Sequence, residues 1–428
     1  MSDFDPHISI ESLTPAKDVN CTVKELTIDT HRMKIETPIK VLSGKNLTYK
    51  AVDELIAPIS NPIFEITKSF DQLRYYPTLI HTLEYGGKNK DWIQKLNESI
   101  GLKNTLEEEY RKNITLSTVF QYYPLDDVTL RHQVRAYQRM NPNLYESYLD
   151  YIYSASSVFI LTPDVLLPTQ SKRPISIEEY LHFIEFSVES FERQNNKPIF
   201  VPLQIDLAER DLLKVLNRYK ENGYTNIWIN FKAKKCDGSN AGRLRMLSRQ
   251  IQRHLGDETV IYCSQLKRER DVKQTSVPAF DMLPPLVYAD FIGVNRTRAG
   301  GGDIDKTAER KGFASTEDYM CALTQSNCSL FDPETYKYII PTCYPKESLD
   351  QKTLAKVKDK EILASFFNGV QIYKELGNLR KQIIDTKHVR PYLETKDAIT
   401  QNMSVFQNAL KNSPSPVKST FQDLLFDD

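Results

Sequence analysis

Ser157-Val158-Phe159-Ile160-Leu161-Thr162-Pro163-Asp164-Val165-Leu166-Leu167-Pro168 is the stretch that decides the fold. Its apolar run stops at Pro163 and Asp164, and a loop is expected to follow. A short apolar run closed by a turn signal reads as a buried parallel strand. A carboxylate at the carboxyl-terminal lip of such a strand is where α/β barrels and open α/β sheets place ligand groups. The same unit of strand, polar lip and helix recurs downstream to about residue 300.

Working forward, the spacing predicts a helix over 176–194, opened by Ser176 and Glu179 as a capping box. Strand Pro198–Gln204 and helix 208–221 follow, the helix closed by Asn222-Gly223. Strand Asn226–Phe231, basic helix 240–255, strand Thr259–Cys263, helix 277–288 and strand Ala289–Val294 complete the run. Working backward, a helix with Arg131, Arg135 and Arg139 at fourfold spacing precedes the decisive strand. Its arginines read either as a solvated face or as a phosphate-facing stripe. Asn113–Gln121 reads as a strand, 70–112 as mostly helical, Asn61–Thr67 as a strand, 48–57 as a helix and Ile39–Leu42 as a strand. Val23–Ile28 and Met33–Glu36 alternate as a small hairpin turned at Asp29–Arg32. The strands near 40, 63, 117, 160, 200, 228, 261 and 292 number eight. That alternation predicts a (β/α)₈ TIM-like barrel with an N-terminal β-hairpin and a helical C-terminal appendage. The expected boundaries are a loose lead-in over 1–20, the barrel over 21–310 and the appendage over 311–411. Within the appendage, 352–384 is helical, with Leu363, Phe366, Phe367, Val370, Tyr373 and Leu376 on one face. A disordered acidic tail is expected over 412–428.

The 428 residues carry 56 Lys and Arg against 56 Asp and Glu. No whole-protein basic field advertises nucleic acid, so local clusters must carry any such reading. No run approaches transmembrane length and no basic-then-apolar leader opens the chain, so no membrane partner is expected. Six scattered cysteines without a Cys-x-x-Cys pair read as reduced thiols, which points to a cytoplasmic protein. Cys321, Cys328, Cys343 and His388 lack the spacing of a zinc site, so no metal is expected. Walker, dinucleotide and Gly-x-Ser-x-Gly fingerprints are missing, so no cofactor is expected either.

Asp164 and Gln204 fall on equivalent lips of neighbouring strands. Together they offer the donor and acceptor pattern that reads a purine-like edge. A helix cap and a lip hydrogen bond are the alternative roles for the same two residues. Arg296 and Arg298 follow the last strand beside Gly300-Gly301-Gly302, a placement suited to clamping phosphate.

Several segments, in order, resemble the tRNA-guanine transglycosylases and their archaeal and DNA-modifying relatives. Thr37–Val41 resembles the opening Thr-Pro and first strand. Leu116–Gln121 resembles the Asp-Ser-Gly-Gly-Phe-Gln segment. Leu161–Pro168 resembles the strand with the base-reading Asp, and Pro198–Gln204 the strand ending in Val-Gln-Gly. Asp290–Arg298 resembles the Phe-Asp-Cys-Val-x-Pro-Thr-Arg stretch, and Leu363–Ile383 the long helix near the family's C-terminus. The resemblance spans roughly 35–385. It implies a barrel that works on 7-deazaguanine (queuosine- or archaeosine-type) modification of tRNA or DNA, with Asp164 and Gln204 in the base pocket. It also implies that Leu116 and Ile292 stand where the two catalytic carboxylates belong, that Thr118 and Val119 replace the pocket glycines, and that the zinc ligands are gone. Leu and Ile can neither move a proton nor form a sugar adduct. The leading expectation is therefore a catalytically degenerate nucleic-acid-binding subunit, paired as a hetero-oligomer with an active transglycosylase. An active base-exchange enzyme using Asp290, two residues from Ile292, is the second reading. A barrel enzyme of other chemistry, with Asp164 acting on a small ligand, is the third.

Overall fold

Apolar and polar residues begin to alternate near the amino terminus, at Ile8-Ser9-Ile10. In the computed structural model, which describes residues 7–45, 47, 50–70, 94, 96–97, 108–120, 142–167, 175–194, 196–296, 303–345, 351–358 and 360–402, strand β1 is Ile8–Pro15. It pairs antiparallel with β2 (Thr22–Ile28), which pairs with β3 (Met33–Thr37). The expected hairpin is present, but the lead-in assigned to 1–20 contains a third strand. Backbone pairing with β2 holds β1, and that partnership leaves little trace in so polar a composition. Ile8, Leu26, Ile28 and Ile35 of this sheet join the same buried cluster as Phe159, Phe200, Trp228 and Phe291. The sheet therefore seals one end of the main domain.

The main domain is a mixed α/β fold around a parallel, curled sheet. In chain order its elements are β4 (Ile39–Lys40), β5 (Leu42–Ser43), α1 (Lys50–Ile56), β6 (Phe64–Phe70), α2 (Glu108–Arg111), β7 (Ile114–Phe120), α3 (Pro142–Ala155), β8 (Ile160–Leu161), β9 (Asp164–Val165), α4 (Ile177–Glu192), β10 (Ile199–Gln204), α5 (Glu209–Glu221), β11 (Asn226–Asn230), α6 (Gly238–Leu255), β12 (Val260–Ser264), β13 (Ser276–Pro278) and β14 (Phe291–Ile292). Parallel pairing runs β5–β6–β7–β9 and β8–β10–β11–β12–β14–β4. Two strands are divided. Pro163, which has no N–H to donate, separates β8 from β9. At Val41 the backbone turns from one neighbour to the other: Val41 N donates to Ile292 O at 2.8 Å, and Leu42 N donates to Ile63 O at 2.8 Å.

Local signals explain the helices. The Ser176 side chain accepts from Glu179 N and Glu179 caps in return, so α4 starts where the capping box predicts. Asp237 caps α6. The helix expected over 277–288 is replaced by β13 and two single 3₁₀ turns, Phe280–Met282 and Pro284–Leu286. Pro278, Pro284 and Pro285 remove donors that a continuous α-helix needs. The arginine stripe at 131, 135 and 139, most of 70–112, and the tail over 412–428 lie outside the described residues.

The interior is filled by an aromatic layer. The Phe159 ring lies 5.1 Å from Phe200, 5.6 Å from Tyr262 and 5.5 Å from Phe291. Such tilted and edge-on contacts suit ring quadrupoles. Adjacent strand residues point to opposite faces. Phe291 and Val119 belong to this inner cluster, whereas Ile292, Leu116 and Phe120 belong to the outer one, against the helices.

After the sheet come α7 (Ile304–Arg310), α8 (Thr316–Asn327), β15 (Leu330–Asp332), β16 (Lys337–Ile339), α9 (Gln351–Val357) and α10 (Glu361–Thr386). β16 pairs antiparallel with both β15 and β13. The residues expected as an appendage thus pack into the main domain. α10 lies on β4 and β5, so close that a Cβ at Gly369 would stand 2.7 Å from Leu42 Cδ2. Arg380 donates to Pro38 O at 2.7 Å. α10's apolar stripe is what covers the first strand.

Candidate functional site: a basic cavity at the carboxyl ends of the strands

Two charged residues interrupt otherwise apolar strand sequences, and the fold brings them to one place. Lys40 lies in β4 and Glu65 in β6, and both line a cavity of about 420 Å³. The cavity opens at the carboxyl ends of the first, second and last strands, with β16, α8 and the start of α10 as its far wall. Six cations line it (Lys40, Lys45, Lys68, Arg268, Arg270 and Arg296) against two carboxylates, Glu65 and Glu361.

Glu65 is 1% exposed and its oxygens are fully engaged. Oε1 accepts from Ser117 Oγ at 2.5 Å and Thr67 Oγ1 at 3.3 Å. Oε2 accepts from Tyr262 Oη and from Val294 N, both at 2.7 Å. Four donors occupy the carboxylate oxygens and fix its direction. Gly293 permits this arrangement: a Cβ there would stand 2.2 Å from Glu65 Oε2 and 2.5 Å from Ser264 Cβ.

Lys40 donates to Gly293 O at 2.5 Å. Burial pushes its ammonium down to about 8, partly offset by Asp281 and Glu65. Burial also lowers Lys45, and the nearby Arg296 lowers it further; burial and Lys45 together lower Lys68. These rim cations crowd one another, which raises the local positive potential. The inner cations are more committed. Arg268 donates to Ser326 O and Asn327 O, and Arg270 to Asn327 Oδ1 and Glu361.

Of the residues expected at a site, Arg296 is at the cavity, where it donates to Ser69 Oγ at 2.7 Å. Arg298 lies outside the described residues. Asp164 and Gln204 are together, but as part of the packed interior. Asp164 is a strand residue, 0% exposed, not a lip or a cap. Its oxygens accept from Gln204 Nε2 at 3.1 Å, Tyr180 Oη at 3.2 Å and Asn230 Nδ2 at 2.6 Å. Gln204 also donates to Val165 O and accepts from Leu167 N. Burial pushes the Asp164 carboxyl up to about 6 despite those donors. Neither side chain lines the cavity.

Asp290 is at the other end of the sheet, before its strand begins. Its Oδ2 pairs with Lys24 Nζ at 2.9 Å and accepts from Ile261 N at 2.8 Å, while Oδ1 accepts from Thr37 Oγ1 at 3.1 Å. This carboxylate ties the N-terminal sheet to the main domain, and neither it nor Asp164 lines the basic cavity. Positions 116 and 292, paired by resemblance with catalytic carboxylates, face the helix layer. The inward residues beside them are Ser117 and Gly293. The cavity floor was missed in the sequence, although its signal was there. A charge inside an apolar strand run, as in Ile39-Lys40-Val41-Leu42 or Ile63-Phe64-Glu65-Ile66, must find a polar destination inside the fold.

Among the described residues no group of three His, Cys, Asp or Glu is placed to hold a metal ion, and no helix is long and apolar enough to cross a membrane.

No family model and no curated protein matches the sequence. Solved structures give low-level likenesses. An engineered protein matches at 12% identity and a TM-score of 0.36, over 67% of this chain and 69% of the other. A double mutant of the endo-beta-1,4-mannanase of Cellulomonas fimi matches at 12% and 0.35, over 67% and 68%. The carboxyl transferase domain of pyruvate carboxylase from Rhizobium etli matches at 10% and 0.33, over 74% of this chain and 42% of the other. Likeness at this level does not bear on what this chain does.

Proposed function

We propose that this chain is a non-catalytic, transglycosylase-like barrel protein of 7-deazaguanine-type nucleic-acid modification, which holds the phosphate backbone of tRNA or DNA at its basic cavity. The observation that carries the reading is the crowding of Lys45, Lys68 and Arg296 at the carboxyl ends of the strands, where burial and then Arg296 depress Lys45, and burial and then Lys45 depress Lys68. An anionic ligand relieves that repulsion, and phosphate is the anion such clusters suit. Barrel proteins place ligand sites at this end of the strands. The pairing of β14 with β4 and of β5 with β6, on either side of Val41, supports a closed eight-stranded (β/α)₈ arrangement as the scaffold. The resemblance along residues 35–385 supplies the nucleic-acid context. The outward direction of positions 116 and 292 supports the loss of base exchange. Asp290, buried against Lys24 at the opposite end, gives no support to an exchange mechanism built on it. An active transglycosylase subunit is the partner that such a chain would need.

Two measurements on the purified protein test the reading. Fluorescence anisotropy with labelled tRNA and duplex DNA is expected to show binding that weakens steeply with salt. Incorporation of labelled guanine into bulk tRNA or DNA is expected to stay at background. Guanine exchange by the chain alone defeats the non-catalytic reading, and binding that is absent at low salt defeats the nucleic-acid reading.

A further inference from the structure

We propose that Lys40 is a covalent site whose amine condenses with the aldehyde of a phosphate-bearing ligand, the phosphate resting on Lys45, Lys68 and Arg296. This deepens the proposed function and rests on its anion site. Three features of the cavity point to it. First, Lys40 is the buried amine of the site: it is 7% exposed, yet it lines the cavity. Its one hydrogen-bond partner among the described residues is the Gly293 carbonyl. Second, it sits near two carboxylates. Asp281 and Glu65 are the carboxylates that act on its charge, and Tyr338, a cavity-lining residue, donates to Asp281 Oδ2 at 2.6 Å. Third, the cavity wall holds an acceptor without a donor: Asn295, a cavity-lining residue whose Nδ2 donates to Asp281 Oδ2 at 2.7 Å, has a buried Oδ1 with no hydrogen-bond partner among the described residues. A buried acceptor of that kind is costly unless a ligand hydroxyl completes it.

The chemistry balances without an oxidant or reductant. The nitrogen lone pair attacks the carbonyl carbon and a C–N bond forms. The carbonyl oxygen takes the proton that the attacking nitrogen gives up, which yields a carbinolamine whose hydroxyl is a donor of the kind Asn295 Oδ1 lacks. The hydroxyl takes a second proton from the medium, the C–O bond breaks as water leaves, and the resulting iminium nitrogen returns a proton to the medium to give the imine. Burial favours the neutral, nucleophilic amine needed for the first step. Two sources carry this ligand chemistry. One is a small sugar phosphate in its aldehyde form. The other is a base-free sugar in a nucleic-acid strand, flanked by phosphates and open to the aldehyde.

The test uses the full chain with sodium cyanoborohydride, which reduces an imine to a stable amine, and peptide mapping by mass spectrometry. Glyceraldehyde 3-phosphate is the small probe, and a DNA oligonucleotide with one abasic site is the polymeric probe. The expected result is a dominant adduct on Lys40, suppressed by inorganic phosphate and lost in Lys40→Arg. Lys45→Ala, which keeps the amine, is expected to slow the adduct about tenfold through loss of one charged contact. The rate is expected to rise with pH through about 8. Trapping of the oligonucleotide at Lys40 assigns the polymeric source, and trapping of the sugar phosphate alone assigns the small one. Adducts spread evenly over surface lysines, or a Lys40 adduct indifferent to phosphate and to Lys45→Ala, overturn the proposal. If tRNA and DNA bind and Lys40 stays unmodified by either probe, this inference fails and the proposed function stands. If Lys40 is trapped by the sugar phosphate while neither polymer binds, the nucleic-acid reading fails and the covalent site stands.

Discussion

Replacing Asp290 by Ala removes the carboxylate that joins the N-terminal sheet to the main domain. Three donors then lose their acceptor: Lys24 Nζ at 2.9 Å, Ile261 N at 2.8 Å and Thr37 Oγ1 at 3.1 Å. Lys24 is only 5% exposed and keeps one partner, Thr259 O at 2.6 Å. Removing one member of a buried ion pair leaves an uncompensated charge and costs about 3–5 kcal/mol. The orphaned amide and hydroxyl push the loss to the upper part of that range, since an unsatisfied buried donor costs roughly 1–3 kcal/mol on its own. Urea unfolding followed by tryptophan fluorescence and by circular dichroism measures this. The double change Asp290→Ala with Lys24→Met removes both charges and is expected to recover about 2 kcal/mol relative to Asp290→Ala alone. Nucleic-acid binding, at the other end of the strands, is expected to be unchanged under conditions where the variant is folded. A loss below about 1 kcal/mol, or strict additivity with Lys24→Met, refutes the structural role assigned to this carboxylate.

Other perturbations read other parts of the account. Gly293→Ala places a methyl 2.2 Å from Glu65 Oε2 and 2.5 Å from Ser264 Cβ; displacing Glu65 should cost roughly 2–4 kcal/mol by urea unfolding, from overpacking and a lost bond to the carboxylate. Asp164 has its folded value raised to about 6 from an ordinary 3.8. The folded state therefore holds that proton more tightly, and this stabilising contribution is full below the ordinary carboxylate range and lost as pH rises through about 6. Stability should fall by about 1 kcal/mol from this group between roughly pH 5 and 7, and Asp164→Asn should remove that part of the slope. Ser176→Ala removes the first half of the α4 capping box, with an expected loss of about 0.5–2 kcal/mol.

The strands were legible because a parallel sheet buried on both faces requires apolar, β-branched runs closed by turn residues. Ile199–Gln204, Asn226–Asn230 and Val260–Ser264 lie where those runs predict. The α4 start was legible because Ser176 and Glu179 encode it locally. What depends on contacts between distant segments was not legible. The hydrogen-bond network around Glu65 draws on residues 65, 67, 117, 262 and 294, and no window of sequence shows that convergence. Asp290 drew attention because it lies two residues from Ile292, where the resemblance expects a carboxylate; the strand's direction places it at the amino end. Asp164 read as a lip residue because Pro163 reads as a stop, whereas the strand resumes after it as β9. Arg296 was legible as a rim residue, yet the partners that give it meaning, Lys45 and Ser69, come from the far end of the domain sequence.

The central claim is that the cavity rim meets phosphate, and one comparison tests it most directly. Fluorescence anisotropy gives tRNA affinity against salt for wild type, for Lys45→Glu with Arg296→Glu, and for Arg245→Glu with Arg253→Glu on α6. The two double variants change net charge equally. The account predicts that the rim variant binds more than tenfold more weakly and loses about two units of the log affinity–log salt slope, with the α6 variant near wild type. Equal weakening in both double variants, or a rim variant indistinguishable from wild type, contradicts it.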